Sequence, residues 1–455
     1  MKLLILIIAL TMVSPLALGQ STASADGDWA ERFAPMHWLT KRCWKATFPD
    51  GVTTDQHCFG YQYGDKFIHD SHVVTGPNPT YRGQTLYAWD AENEQITYWY
   101  WTNLGSYSTG VMHVMEDGAL YSPERHVADD GTITELRSVW RYDGDSSFTS
   151  TQQQKVDGQW QAVWEIVYHD IRRNQAADVS VLKDSNGLVF TRYHNESHDL
   201  IKLGGDGNVV AITDSAATDW VYAGGAEPLF VSRRGVPKGE RGYLLYRLRA
   251  DGSFKRAFDH LLSDSAVSLS RDGRRYAVAM HDGNDTELWL VNVESGHADR
   301  LTDNACKDTD PNWSASDEWL VYRSDCGGAS DIWRMRLADG HVEQLTSNAS
   351  NDGELGYGGE GPPRYSPDGQ TIAWMSHDGD WEIALMDADG SNQRQLTNND
   401  VNDSFPAWSP SGQLIAFNSD RDGNEEIYVI DVTSRNVSRM TFTPEPEYAP
   451  VFISP

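Results

Sequence analysis

Short runs of β-branched and aromatic residues, bounded by Gly, Asp and Pro, dominate this chain from about residue 29 onward. From about residue 183 these runs recur with a period. A Leu-Thr pair or a close equivalent stands at Leu301-Thr302, Leu345-Thr346, Leu396-Thr397 and Met440-Thr441, spaced by 44, 51 and 44 residues. Ile212-Thr213 lies 89 residues before Thr302, and Phe258 takes the place between them. A period near 44 residues, with four short strands per unit, predicts the blades of a β-propeller.

Within the units the strands follow a fixed order. Residues 310–314, 363–369 and 406–412 open units with an innermost strand and a tight turn. Their Pro-Asp-Gly and Pro-Ser-Gly corners supply the preset φ and the positive φ that such turns need. Second strands fall at 319–322, 372–375 and 415–418, and third strands at 287–291, 331–335, 382–386 and 426–430. Their β-branched and aromatic content suits strands, and the Trp and Tyr residues are expected to fill the core between blades. Two weaker units, 188–212 and 229–258, precede these and bring the count to six. Residues 449–455 read as an innermost strand with no blade after it. Pairing it with the strand at Leu188 closes the ring and leaves no long sheet edge. Residues 179–183 offer one more innermost strand, so seven blades is the alternative.

Residues 29–170 lack the 44-residue period. Strand-like runs at 95–101, 110–115, 134–140 and 160–168 alternate with turns at Asp117-Gly118, Asp130-Gly131, Asp143-Gly144 and Asp157-Gly158. This predicts an up-and-down antiparallel meander, joined by a linker at 171–182 to a propeller at 183–455. The fold class is therefore all-β, with the two domains packed together.

The first 19 residues read as a secretory signal: Lys2, an apolar run at 3–12, and Ala17-Leu18-Gly19 as the cleavage pattern. A membrane anchor is the alternative, but the run is shorter than about 20 residues and is broken by Ser14-Pro15. A periplasmic or secreted monomer is expected. With 66 Asp and Glu against 37 Lys and Arg, the formal charge of −29 disfavours nucleic acid and anionic membranes as partners. Four cysteines allow three connectivities. Export and proximity favour Cys43–Cys58 and Cys306–Cys326, and neither pair has the close spacing of a zinc site.

The stretches Pro406-Ala407-Trp408-Ser409-Pro410 and Ile427-Tyr428-Val429-Ile430-Asp431, with the recurrent Leu-Thr pairs, resemble the consensus of the TolB-type propeller family. The resemblance covers about residues 183–455 and includes the isolated final strand. It implies a bacterial envelope protein that offers its propeller to a peptidoglycan-associated lipoprotein. The family's N-terminal domain, which meets inner-membrane partners, has no visible counterpart. Trp38-Leu39-x-x-x-Cys43-Trp44 and the meander instead resemble calycin-like, lipocalin-related barrels. That resemblance implies either one small apolar ligand or a filled docking domain.

Six acids recur at one blade position: Asp219, Asp264, Asp308, Glu360, Asp403 and Glu447. Five stand six residues after the Thr or its Phe equivalent, and Glu360 stands fourteen after because the preceding loop is longer. Placed three residues before each innermost strand, they are expected to face one channel mouth. There they would grip a basic or polyhydroxyl ligand, with room for a divalent cation, and crowding would raise their pKa values. The alternative role is to hydrogen-bond backbone between blades. The Gly-rich loop 351–361, with Tyr357, lies beside that mouth and is the expected seat of specificity. His69, His72 and His113 in the barrel, and His194 with His198 in a hairpin, are potential metal or haem ligands whose simpler role is structural. The Asp-rich turn at 420–424 lacks the later Glu of a calcium loop and reads as a hairpin turn.

Three function classes follow. The first is an exported non-catalytic binding protein that needs no cofactor, its propeller recognising an envelope protein or glycan. The second is a propeller enzyme acting on polysaccharide, a lyase or glycoside hydrolase. The third is a scaffold for envelope assembly. The absence of a Gly-x-Ser-x-Gly elbow and of His-Glu-x-x-His favours the first.

Overall fold

In the computed structural model the chain is all-β. The structure describes residues 29–455 apart from 41, 63–65, 77–80, 145, 172–176, 195–196, 215–216, 282, 284, 348–360, 378, 400, 423, 444 and 455. The expected signal at 1–19, Tyr357 and Glu360 lie outside the described residues.

Ten strands form the first domain: β1 (Arg42–Thr47), β2 (Thr54–Gln62), β3 (Phe67–Thr75), β4 (Tyr81–Asp90), β5 (Gln95–Thr102), β6 (Tyr107–Val114), β7 (Leu120–Val127), β8 (Ile133–Tyr142), β9 (Ser147–Val156) and β10 (Gln159–Asp170). Each pairs with its sequence neighbour, and β1 pairs with β10 to close a barrel. The turn between β9 and β10 shows how the sequence sets this order. Asp157 and Gly158 both take positive φ, at 50° and 77°, as a two-residue turn with the twist of a hairpin requires. Ahead of β1, a short helix (Trp29–Arg32) and a 3-10 turn (Ala34–Met36) lead into the barrel. They bring buried Phe33, Met36 and Leu39 against Trp44, Phe59 and Phe148. The expected Cys43–Cys58 disulfide joins directly paired residues of β1 and β2.

The second domain has six blades of four antiparallel strands. From the innermost strand outward, blade 1 is Glu447–Phe452, Gly187–His194, Ser197–Gly204 and Val209–Ala211. In the same order, blade 2 is Asp219–Ala223, Leu229–Ser232, Leu244–Leu248 and Phe254–Arg256. Blade 3 is Ser268–Leu269, Arg275–His281, Thr286–Asn292 and Ala298–Arg300. Blade 4 is Asp308–Trp313, Trp319–Ser324, Asp331–Arg336 and His341–Gln344. Blade 5 is Arg364–Tyr365, Thr371–His377, Trp381–Asp387 and Arg394–Gln395. Blade 6 is Asp403–Trp408, Leu414–Ser419, Glu426–Asp431 and Val437–Arg439. The Cys306–Cys326 disulfide also forms, tying the approach to blade 4 to the end of its second strand.

The final strand closes the ring as expected, with Leu188 opposite Phe452, Val189 opposite Val451 and Arg192 opposite Glu447. The seventh blade does not form. Residues Val179–Leu182 instead make a 3-10 turn, capped by Asp178, whose carboxylate accepts the Ser180 amide at 3.1 Å. That turn buries Leu182 against Leu188 and Phe452, so the segment seals the closing blade.

The barrel rests on blade 6. Arg82 Nη1 lies 3.0 Å from Asp420 Oδ2, Gln56 Nε2 donates to the Asp422 carbonyl, and Cys43 Sγ lies 3.8 Å from the Thr443 carbonyl. Deleting residues 449–455 tests the ring closure. Val451, Phe452 and Ile453 are buried, and at about 1.5–3 kcal/mol each the propeller loses roughly 5 kcal/mol or more. The truncated chain is expected to lose its cooperative melt or melt well below the full chain. An unchanged melting temperature would exclude this closure.

Candidate functional site

The repeated Leu-Thr pair has a specific task at the outer edge of each blade. The Thr Oγ1 accepts an amide from the third strand: Leu200 at 2.9 Å, Leu288 at 2.9 Å, Ile332 at 2.8 Å, Ile383 at 2.9 Å and Ile427 at 2.8 Å. The residue before each of those amides is a buried acid: Asp199, Glu287, Asp331, Glu382 or Glu426. Thr213 and Thr302 donate their hydroxyl protons to Asp199 and Glu287. In blades 3 and 6 an arginine completes the tie. Arg300 meets Glu287 and Arg439 meets Glu426, each at 2.9 Å, while both Nε atoms donate to the Thr carbonyl at 2.7 Å. Blade 4 uses Gln344, 2.9 Å from Asp331. Blade 5 has Gln395 at the equivalent position, and burial pushes Glu382 up to about 7. Blade 2, where Phe258 replaces Thr, keeps the backbone bond from Ala257 to Leu245.

Four of the ring acids occupy one end of the propeller. Asp219, Asp308, Asp403 and Glu447 are the first residues of their innermost strands, rather than three residues ahead of them, and all four are buried. Each is tied down. Arg234 reaches Asp219 at 3.2 Å, Asn304 reaches Asp308 at 2.9 Å, Arg421 reaches both oxygens of Asp403 at 2.9 Å, and Arg192 reaches Glu447 at 2.6 Å. Asp264 differs: it is exposed and accepts the Tyr222 hydroxyl at 3.3 Å. Burial is the main cause raising Asp219, Asp308 and Glu447, in place of the expected crowding. Three of the four buried carboxylates are thus paired with arginines and the fourth with Asn304.

A second acid of blade 4 lies outside the recurrent acidic position. Asp310 is buried, accepts the Ala266 amide of the neighbouring blade at 2.7 Å and pairs with Arg323 at 2.9 Å. It takes φ of 57°, as Phe405 and Ala449 do at 56° and 49°, each two residues after a ring acid. The three residues at that offset are Asp, Phe and Ala, so no residue type recurring along the chain marks Asp310.

The barrel holds a different arrangement, around a cavity of about 360 Å³. β2 and β3 place His57 opposite His72, and residues two apart on a strand face the same side. Asp55-x-His57 and Asp70-x-His72 therefore all line the cavity. His57 lies 2.9 Å from Asp70 through Nδ1 and 3.3 Å from Asp55 through Nε2. Burial works against its charge, but the two carboxylates outweigh burial and hold it up at about 10, so it stands as an imidazolium. Burial and that neighbouring cation drive His72 down to about 4, leaving it neutral, with Tyr100 Oη at 3.1 Å. Asp55 is held at about 2 against its burial by both histidines, and it accepts the Tyr168 hydroxyl at 2.7 Å. Gly83 faces His72 across β3 and β4 because a Cβ there would lie 2.7 Å from His72 Nε2 and 2.5 Å from the Tyr100 ring. The remaining walls mix aromatic rings, including Phe59, Tyr87, Trp140, Phe148 and Trp164, with a second polar stretch around Ser108, Ser122, Glu124, His126 and Ser138. The barrel is thus not filled, and its cavity sets the Asp-His cluster and the polar stretch at Glu124 among aromatic rings.

Of the other histidines singled out in the sequence, His69 is half-buried outside the cavity lining, and His113 is exposed beside Tyr121. His198 stacks against Trp220 with ring centres 4.5 Å apart, and His194 lies 3.9 Å from Glu445. At the Asp-rich turn, Asp422 bonds Arg439 at 2.9 Å and Tyr428 at 2.6 Å, in keeping with a hairpin.

Residues 250–356 and 356–455 each match the TolB beta propeller domain family. Residues 250–455 thus match the TolB beta propeller domain. A protein TolB homolog from Chlorobium luteolum is 33% identical over 70 residues, 15% of this chain and 16% of its own length. The chain therefore spans about a sixth of that curated relative. The crystal structure of TolB from Acinetobacter baumannii aligns at a TM-score of 0.49 and 16% identity, over 68% of this chain and 80% of its own. A putative TolB from Agrobacterium tumefaciens aligns at 0.44 and 20% identity, over 59% of this chain and 99% of its own. The two disulfides fit a protein that works outside the cytoplasm. Among the described residues no helix is long and apolar enough to cross a membrane.

In the propeller the burial of Glu382 in blade 5 has a pH signature. Glu382 is raised from 4.5 to about 7, so between those values the folded chain keeps a proton that the unfolded chain releases. Its contribution to stability is present below about pH 4.5 and is lost as the pH rises toward about 7. Glu382→Gln keeps an acceptor and removes the titration. Relative to this variant, the native chain is expected to lose melting temperature from pH 4.5 to 7 and to level off above. Parallel profiles would contradict the shift.

Proposed function

We propose that this is an extracytoplasmic, periplasmic binding protein, with the TolB propeller as scaffold and the barrel as a small-molecule compartment. The barrel cavity carries the reading. Its volume of about 360 Å³ lies within the roughly 300–1,000 Å³ of small-ligand sites. Aromatic walls with a few convergent polar groups are what such sites use to bury a ligand and fix its orientation. The ligand class is a compact aromatic or aliphatic body whose polar end meets the two Asp-x-His pairs.

On the propeller, an envelope protein or glycan docked at the channel mouth is the partner class this reading assigns. Asp219, Asp403 and Glu447 are each held by an arginine, which supports a scaffold over a polysaccharide-cleaving enzyme. Acid–base chemistry needs a carboxyl group able to exchange its proton with substrate. The barrel rests on blade 6 at the same end, so a partner seated at the mouth meets both domains.

Titration with phenylnaphthylamine, a neutral aromatic probe that fluoresces when shielded from water, tests the compartment. The full chain is expected to bind it and to quench emission from Trp140 and Trp164. Ser138 is buried on β8 and lines the cavity, so Ser138→Phe fills it. Affinity is expected to fall at least about tenfold, or 1.4 kcal/mol, and the melting temperature to fall with it, because buried Glu124 loses the Ser138 hydroxyl that donates to it at 3.3 Å. No binding by the native chain, or undiminished binding by the folded variant, would refute the reading.

A further inference from the structure

We propose that Asp55, His57 and His72 bind a divalent transition-metal ion of the zinc class, with Asp70 as a positioning residue behind His57. The inference deepens the small-molecule reading and rests on it in one respect, that the ion's open coordination position faces the same cavity.

Geometry comes first. One ligand atom from each of the three residues lies within 4.8 Å of the others. A tetrahedral ion with bonds of about 2.1 Å sets its ligands about 3.4 Å apart, so the group must close by roughly an ångström. Two imidazoles and one carboxylate suit zinc and its neighbours, and three protein ligands leave a position for water or another donor.

The surroundings fit the same ion. Asp70 Oδ2 lies 2.9 Å from Nδ1 of His57 and so fixes the tautomer, leaving Nε2 directed toward Asp55. A carboxylate behind a histidine in this way is the usual support of a metal-bound imidazole. Tyr168 holds Asp55 at 2.7 Å.

The independent observation is a pair of unpartnered oxygens. The Asp55 and Asp70 side chains are only 9% and 2% exposed. Oδ1 of each accepts no hydrogen bond among the described residues. Buried anionic oxygens without donors are costly, and a cation among them removes that cost.

The test uses the full mature chain, stripped with a chelator and dialysed. Calorimetric titration with zinc is expected to show one ion bound per chain, and cobalt to give the visible bands of a tetrahedral site. Zinc should raise the melting temperature. His72→Ala and His57→Ala are expected to abolish these effects, and Asp70→Asn to weaken binding by about 10–100-fold. No uptake of zinc or cobalt by the stripped native chain would overturn the proposal, whatever the variants do. So would native affinity in folded His72→Ala, which would put the ion elsewhere. Should His57→Ala fail to fold, the native chain and His72→Ala still decide. Phenylnaphthylamine binding separates the two readings. Probe bound without zinc sinks the metal site alone, and zinc bound without probe sinks the organic ligand alone.

Discussion

One hydroxyl group, on the Thr that follows the outer strand, fixes how a blade passes the chain to the next. It accepts an amide of the third strand in five blades, beside an acid with little access to water. A buried carboxylate is tolerable only with donors around it. The Thr hydroxyl, loop amides such as those of Asn304 and Thr443, and an arginine where one is present supply them. The sheet is thereby pinned at its outer edge, and the following residues turn inward to start the next innermost strand. The ring closes on related chemistry, since Glu447 heads the last strand and takes Arg192 from the first.

The same tie explains what the sequence displays and what it conceals. The Thr and the acid six residues on are local, so their recurrence is visible and yields six blades. The arginines that neutralise the ring acids follow no common spacing: Arg234 is 15 residues from Asp219, Arg421 is 18 from Asp403, and Arg192 is 255 from Glu447. No pattern along the chain connects them, so carboxylates destined for burial read as an open acidic mouth. The strand starts shifted for a related reason. Pro311, Pro406 and Pro450 lie inside innermost strands, where Pro is expected to break the ladder. Those strands are sheet edges facing the channel, and an edge strand tolerates a missing N–H.

In the barrel, alternation is legible as a meander but not as a site. Strand periodicity says that Asp55 and His57 share a face, and likewise Asp70 and His72. Which face lies inside, and that the two pairs meet, depends on the register of β2 against β3. A duplicated Asp-x-His is the signal the sequence offers. By residue type alone His72 groups with His69 and His113, both of which the strands carry away from the cavity. A calycin-like resemblance implies a small apolar ligand or a filled barrel, and neither reading points to Asp55, Asp70 and Glu124 set among aromatic rings.

The parity that turns Asp55 and His57 inward turns Gln56 outward, onto the backbone of Asp422 in blade 6. Three consecutive residues of β2 thus build the polar end of the cavity and the contact with the propeller. Arg82, beside the Gly83 that admits His72 and Tyr100, reaches Asp420 in the same hairpin of blade 6. Asp422 in turn holds Arg439, which holds Glu426 in the tie of that blade. The two domains therefore share one continuous polar path, from the Asp-His cluster through the hairpin at Asp420 and Asp422 to the outer edge of the ring. Because strand parity is fixed by the backbone, β2 cannot slip by one residue without losing the cavity and the docking contact together. The Cys43–Cys58 disulfide locks that strand to β1 at the contact itself, removing the slip as an option.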